Sequence, residues 1–336
     1  MILYPSSLSK REIPKNFDEK DRFLFEKEWE KTIPETFVKK LEKIMVNADF
    51  VLFDRKKIYE ESFLNADYLK NPSFVQKSKF FIKNFIVRKH KKFDGSAIWL
   101  VDAWSSNYFH WLFDVLPRWW AAQKLSQKLP ILLPQPFEKI DFVKQFLELL
   151  NIKAVFIPKN EVWHVQELYF ISHTAPTGNY NNLIIRELNT FFSEKILEKK
   201  HHFGDRIYIS RKNASKRKIV NEPELEILLA NYGFQSLILE DYSVYEQLSM
   251  LKNVHFLVSI HGAGLGNMLF MPSGGRVFEI RRKGDKDNNA FFSLANALAF
   301  DYFYLLADSD SSDTHTANLT VDLVEMEEKL TYFLKK

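Results

Sequence analysis

Asn107, His110, Asp114 and Arg118 lie in the stretch NYFHWLFDVLPRWW at spacings i, i+3, i+7 and i+11, so a helix there carries all four on one face. The neighbouring positions are aromatic or aliphatic, and a helix apolar nearly all round is buried. A polar stripe on such a helix must be hydrogen-bonded internally or face a cleft. A His–Asp pair holds one imidazole tautomer and raises its basicity, which makes His110 or Asp114 the candidate general base for a hydroxyl. An internal structural network is the other reading. The tryptophans, Trp111 among them, suit the apolar face of a sugar or plain core packing. Pro117 predicts a kink or restart of the helix near Phe113 to Leu116, which bears on the alignment of Arg118.

Two further stretches suit a phosphate. The apolar run VHFLVSI ends at Ile260 and is followed at once by His261-Gly262-Ala263-Gly264-Leu265-Gly266-Asn267 and then MLF. This reads as strand, tight glycine turn and helix. Glycines allow close backbone approach, and the free amides opening a helix attract an anionic oxygen. His261 could add a hydrogen bond or positive charge to a diphosphate. A packing turn with a structural His261 is the alternative. The nicotinamide fingerprint G-x-G-x-x-G is absent, because the third glycine comes one position early as Gly266 and Asn267 stands in its place. Upstream, the strand RIYIS leads into RKNASKRK, residues 211–218, in which five of eight side chains are cationic. Arg211, Lys216 and Arg217 in this loop suit a departing diphosphate, whose charge grows in the transition state. A solvated charged loop is the bland reading. The acids that follow need no chemistry: Asn221 with Glu224, and Ser243 with Glu246, have capping-box spacing, and Glu222 favours the helix dipole.

Positioning such groups requires regular elements, and the chain has room for them. Its 336 residues accommodate one large or two medium domains, and a hydrophobic share of 46% with 15% aromatics is globular. Net charge is 47 − 43 = +4, too small to imply a nucleic-acid partner, yet compatible with an anionic ligand or a peripheral seat on an acidic membrane surface. The chain has no cysteine, which removes disulfides, thiolate metal sites and thiol nucleophiles. With no apolar signal core at the N-terminus and no apolar run of about 18 residues, the expected location is cytoplasmic, with the inner membrane face as a peripheral site. The sequons at Asn213 and Asn318 are then chance. Residues 23–46 show helical patches, and KFFIKNFIVRK, residues 79–89, reads as strand or hairpin. From residue 97 short apolar strands alternate with helices, which predicts parallel sheets covered on both faces. Two doubly wound halves joined near residue 200 result: an N-terminal domain over 1–200 with a β-containing extension, and a second domain over 201–320 that carries the basic loop and the glycine turn. A C-terminal helix over 321–336 is expected to pack back on the first domain.

These residues, taken as an ordered set, resemble glycosyltransferase family 61, often described as capsular polysaccharide biosynthesis proteins. The resemblance runs from about residue 97 to 306 and rests on four stretches. They are Asn107-x-x-His110-Trp111-x-x-Asp114-x-x-Pro117-Arg118, Tyr208-Ile209-Ser210-Arg211 through Arg217 to Asn221-Glu222, Glu246-Gln247, and His261-Gly262-Ala263-Gly264-Leu265 through Asn267 to Phe270-Met271-Pro272. The family implies a GT-B fold, two Rossmann-like domains facing each other across a cleft, and an inverting reaction from a nucleotide-sugar donor with no divalent cation and no cofactor. It implies donor contacts at Arg211, Arg217 and the His261–Gly264 loop. Lys216, Asn267 and Glu279 are further donor-side candidates, Glu279 because it closes the strand RVFEI where such folds often bind ribose or sugar hydroxyls. Asn107, Trp111 and Arg118 would face the acceptor, an oligosaccharide, polysaccharide or lipid-linked glycan. A UDP-sugar is the expected donor. The tract Asp308-Ser-Asp310 resembles a metal-binding DxD motif but reads as a solvated turn. The rival expectations are another nucleotide-dependent Rossmann enzyme, an epimerase or oxidoreductase, and a non-catalytic glycan-binding subunit on the same fold.

Overall fold

A computed structural model of the chain describes residues 1–62, 74–195, 203–314 and 316–335. They form two compact units, one of Met1–Ser6 with Pro34–Thr174 and one of Ser7–Ile33 with Ala175–Lys336. The boundary expected near residue 200 lies outside the described residues. The helix Asn182–Lys195, expected in the first domain, belongs instead to the C-terminal unit, for reasons visible in its contacts. It buries Ile184, Ile185, Leu188 and Phe192, sets the Phe192 ring 5.0 Å from that of Phe270, and donates from Asn189 Nδ2 to the Leu269 and Met271 carbonyls at 2.7 and 2.8 Å.

The N-terminal unit holds a mixed sheet in the order Ile2–Tyr4, Thr36–Asn47, Glu161–Ile171, Lys89–Trp99, Ile131–Pro134, Ala154–Ile157, with Leu52–Phe53 paired to Thr36–Asn47. Glu161–Ile171 runs parallel to Lys89–Trp99 and antiparallel to Thr36–Asn47. The doubly wound parallel sheet expected here is therefore realised only on one side. Two local expectations are corrected as well. Thr36–Asn47, taken for a helical patch, is a strand, because pairing from Val38↔Ile171 to Asn47↔Val162 satisfies its backbone and outweighs helix propensity. KFFIKNFIVRK is helical: Phe74–Phe81 continues into a π-helical stretch Ile82–Val87. Asn84 anchors it by donating to the Phe80 carbonyl at 3.0 Å and accepting from Asn47 Nδ2 at 2.8 Å, while Phe80 and Phe85 pack on Phe53.

The C-terminal unit meets the expectation of a parallel sheet. Its strands lie in the order Gln235–Leu237, Arg206–Ile209, Phe256–Ile260, Arg276–Arg282, Asp301–Ser309, Leu319–Thr320; the first five are parallel and the last is antiparallel. In chain order this is 2-1-3-4-5-6, so winding reverses between Arg206–Ile209 and Phe256–Ile260. Ligands of open α/β sheets sit at the carboxyl ends of the strands flanking such a reversal. One face of the sheet buries Tyr208, Leu225, Val258, Phe278, Phe303 and Phe333. Phe333 comes from the C-terminal helix Leu323–Phe333 and lies 5.4 Å from Phe278 and 5.0 Å from Phe303. That helix thus completes the core of its own unit, where the sequence suggested packing on the first domain. The Ser243–Glu246 capping box is formed. Asn221 does not cap; it exchanges two hydrogen bonds with the Val321 backbone, at 2.9 and 3.0 Å. Among the described residues no helix is long and apolar enough to cross a membrane.

Candidate active site

The winding reversal in the C-terminal unit brings the basic loop and the glycine turn together. Ile209 leads into Ser210 and Arg211, Ile260 leads into His261 and Gly262, and Ser259 Oγ ties the two strands by donating to the Ile209 carbonyl at 2.9 Å. The buried Glu222 fixes the start of the basic loop, accepting from Tyr208 Oη at 2.7 Å and from the Arg211 amide at 3.3 Å. The Arg211 guanidinium donates to the Arg217 and Lys216 carbonyls, both at 3.3 Å, and lies across Gly262, where a Cβ would come within 2.8 Å of Nη1. Arg217 adopts a left-handed backbone, φ 55°, a conformation costly for a non-glycine residue and frequent at binding sites. Its Nε and that of Arg282 are buried without a hydrogen-bond partner, and both arginines line a small pocket with His261 and Asp285. Burial pushes the Arg211 and Arg217 guanidinium groups down from their ordinary values, and for Arg217 the Arg211 charge adds to it. Cations held partly out of water beside one another are stabilised by an anion.

His261 is held from behind. Its Nδ1 meets the Glu279 carboxylate, which is fully buried and also accepts from Tyr302 Oη. With Nδ1 engaged, Nε2 is the nitrogen left to face a ligand. Glu279 therefore sits behind the imidazole, where the sequence suggested contact with ribose or sugar hydroxyls. Burial, then the Glu279 charge, raises the Tyr302 phenol well above its ordinary value. Asn267 is also buried and ties down the turn, donating to the Gly264 carbonyl at 3.1 Å. Lys216 points to solvent and contributes its carbonyl to Arg211. The expected α-helix from Leu265 is a 3-10 helix, Ala263–Phe270, whose hydrogen bonding starts with the Leu265 amide on the Gly262 carbonyl at 2.9 Å. Such an opening presents the amides of Gly262, Ala263 and Gly264. Gly264 packs close to the first strand, as a Cβ there would lie 3.1 Å from Ile209 Cγ2. The acidic tract is a turn only from Asp310, since Asp308 and Ser309 still belong to the strand Asp301–Ser309: Asp308 pairs with Lys283 at 2.7 Å, and Asp310 accepts from the Asn318 amide and Nδ2, both at 2.8 Å. Among the described residues no group of three or more His, Asp or Glu side chains is arranged to hold a metal.

In the N-terminal unit, Asn107 caps the polar-striped helix, accepting from the Phe109 amide at 2.9 Å. The helix is α over Tyr108–His110, π over Trp111–Val115 and α again over Leu116–Ala122. Pro117 offers no N–H to the Phe113 carbonyl, and the wider turn relieves the clash its ring would make there. His110 Nδ1 and Asp114 Oδ2 meet at 2.6 Å. Asp114 is the more buried of the two, 6% exposed against 15% for the imidazole. Trp111 and Arg118 are each 1% exposed, so neither presents atoms to an acceptor. Arg118 is internal because its Nη1 and Nε donate to the Leu100 and Ile171 carbonyls at 2.6 and 2.8 Å. Burial pushes it down to about 10, against the pull of Asp102 and then Asp114.

Sequence reasoning missed a second pair beside this arginine. Asp102 Oδ2 lies 2.9 Å from His173 Nε2 and 4.0 Å from Arg118 Nη1. Burial raises the Asp102 carboxyl, but the His173 hydrogen bond and the Arg118 charge outweigh it and the net direction is down. Asp102 also accepts from the Trp104 amide at 2.9 Å, and the Trp104 ring, 52% exposed, lies 5.5 Å from that of His110. The available signal was position: Asp102 and His173 each follow directly on an apolar strand run.

This mixed α/β architecture, with its parallel strands meeting at a cationic corner, is consistent with an α/β glycosyltransferase. The family model "Glycosyltransferase 61" matches residues 108–278, half of the chain, and the chain belongs to that family. Among similar proteins are the chimpanzee (Pan troglodytes) and human (Homo sapiens) protein O-linked-mannose beta-1,4-N-acetylglucosaminyltransferase 2, each 29% identical over 165 residues, 46% of this chain and 27% of theirs. The EGF domain-specific O-linked N-acetylglucosamine transferase of Bos taurus is 33% identical over 86 residues, 24% of this chain and 16% of that protein. The matched region thus spans well under two thirds of the length of these relatives.

Proposed function

We propose that the protein moves a sugar from a UDP-sugar to a hydroxyl of a glycan acceptor, with inversion and without a divalent cation, in surface or capsular polysaccharide assembly. The observation that carries this reading is the cluster of Arg211, Arg217 and His261 at the carboxyl ends of the two strands flanking the winding reversal. There the guanidinium groups and the amides of Gly262 to Gly264 take the pyrophosphate. In the N-terminal unit His110 Nε2 removes the acceptor proton, and Asp114 holds the tautomer and stabilises the imidazolium. The acceptor oxygen attacks the anomeric carbon from the face opposite the leaving group. The new C–O bond forms as the bond to the β-phosphate oxygen breaks, and UDP departs with its added negative charge on the arginines. The two units then divide the labour of a GT-B enzyme. Both kinds of relative are named for N-acetylglucosamine transfer, which makes UDP-N-acetylglucosamine the first donor to try.

Peripheral attachment to an anionic membrane belongs to the same proposal. It is supported by the exposed Phe81, Ile82, Ile86 and Val87 among the exposed Lys79, Lys83 and Lys89, an arrangement suited to a lipid interface. Thermal-shift screening against UDP-, GDP-, CMP- and dTDP-sugars tests the donor. Ligand at 100 times its Kd stabilises by about 2.7 kcal/mol, so UDP-sugars should raise the Tm, and EDTA should not abolish the shift or the turnover. A shift with another nucleotide alone, or turnover lost to EDTA and restored by Mg²⁺, contradicts the proposal.

A further inference from the structure

Arg118 is flanked by two carboxylates, Asp102 and Asp114, and each of these holds one imidazole, His173 and His110. The segment joining the two pairs is tightly determined. Asp102 Oδ1 accepts from the Trp104 amide, Ser105 Oγ accepts from the Asp102 amide at 3.0 Å, and the Asn107 amide donates to the Trp104 carbonyl at 2.9 Å. A lone exposed aromatic is ordinary on a protein surface. Trp104 differs in that its backbone is fixed by one His–Asp pair while its half-exposed ring lies against the imidazole of the other. Both imidazoles keep some exposure, 15% for His110 and 22% for His173.

We propose that Trp104 is the platform for the acceptor sugar and that His173, held by Asp102, grips a second hydroxyl of the same ring while His110 engages the reacting one. This rests on the reading of His110 as the base. An indole presents a broad apolar face at low conformational cost, suited to the C–H face of a pyranose. The charge balance selects the ligand: two carboxylates and one guanidinium leave one net negative charge shared by two imidazoles. The seat therefore takes a neutral, polyhydroxylated ring and rejects an anionic one.

Saturation-transfer NMR tests this with methyl glycosides of mannose, glucose, galactose and N-acetylglucosamine, and methyl glucuronide as the anionic probe, each with UDP present. At least one neutral glycoside should receive saturation and bind more tightly than the glucuronide. Trp104→Ala should weaken it on the order of ten-fold, a stacking loss near 1.4 kcal/mol, and Trp104→Phe should recover part of it. His173→Ala should weaken it or change which glycoside ranks first. Calorimetric UDP binding should be unchanged in all three variants, and the Tm should be unchanged in the two Trp104 variants. Unaltered glycoside binding in Trp104→Ala, preference for the glucuronide, or no glycoside binding to the wild-type protein overturns the proposal. Failure of UDP to bind would overturn the donor reading instead, so the two failures are distinguishable.

Discussion

Gly262→Ala separates binding from stability. The Gly262 backbone is extended, φ 168°, so alanine adopts it without strain. The new methyl would meet Arg211 Nη1 at 2.8 Å, Cζ at 3.3 Å and Nε at 3.5 Å. The displaced atoms belong to the end of a flexible side chain, so the fold should accommodate the change within about 1 kcal/mol, helped by the lower entropy of the unfolded alanine chain. Arg211, however, must leave the turn. A hydrogen bond to a charged group contributes about 1.5–3 kcal/mol, which corresponds to roughly a ten- to hundred-fold loss of UDP affinity. Calorimetric titration with UDP, alongside urea denaturation, reads both quantities. Gly264→Ala is the contrast, because its Cβ would press within 3.1 Å of Ile209 Cγ2 in the buried strand and should cost about 1–3 kcal/mol of stability through overpacking. Wild-type UDP affinity in folded Gly262→Ala would refute the placement of a phosphate beneath Arg211.

Removing the base by His110→Ala should lower kcat by about 10²- to 10⁴-fold with calorimetric UDP binding intact, and Asp114→Asn should lower it too; full turnover in both would remove the assignment. Because the Asp102 carboxyl lies below its ordinary value when folded, its stabilising contribution is complete above the unfolded value of about 3.9 and is lost as pH falls through the folded one. The stability deficit of Asp102→Asn, measured by urea denaturation, should therefore be constant near neutrality and shrink below about pH 4. Phe333→Ala should destabilise the protein by about 3–5 kcal/mol, because the ring is fully buried against Phe278 and Phe303; a neutral result in denaturation would contradict the packing of the C-terminal helix.

Much of the C-terminal unit was legible because buried parallel strands carry their own signature. RIYIS, HFLVSI, RVFEI and YFYLL are short apolar runs separated by helices, and strand, loop and helix meet where the chemistry suggested. The N-terminal unit was harder to read. Thr36–Asn47 has the charge density of an exposed helix, and its longest pairing, which makes it a strand, is with a segment over a hundred residues away. The stripe from Asn107 to Arg118 was aligned on a regular α-helix, whereas the π turn at Trp111–Val115 changes the register between His110 and Arg118. Which tryptophan is exposed depends on tertiary packing, and the helical pattern that singles out the buried Trp111 carries no sign of the exposed Trp104. Glu279 was recognised by its place at a strand end, but its depth behind His261 follows from Tyr302 and the neighbouring strand, which no local pattern encodes.

A crystal structure of the protein with UDP bound addresses the donor site itself. The pyrophosphate should lie at the carboxyl ends of Arg206–Ile209 and Phe256–Ile260, within hydrogen-bond distance of Arg211, Arg217 and the amides of Gly262 to Gly264. UDP bound elsewhere, with Arg211 still folded over Gly262 and no phosphate contact from Arg217, would contradict it.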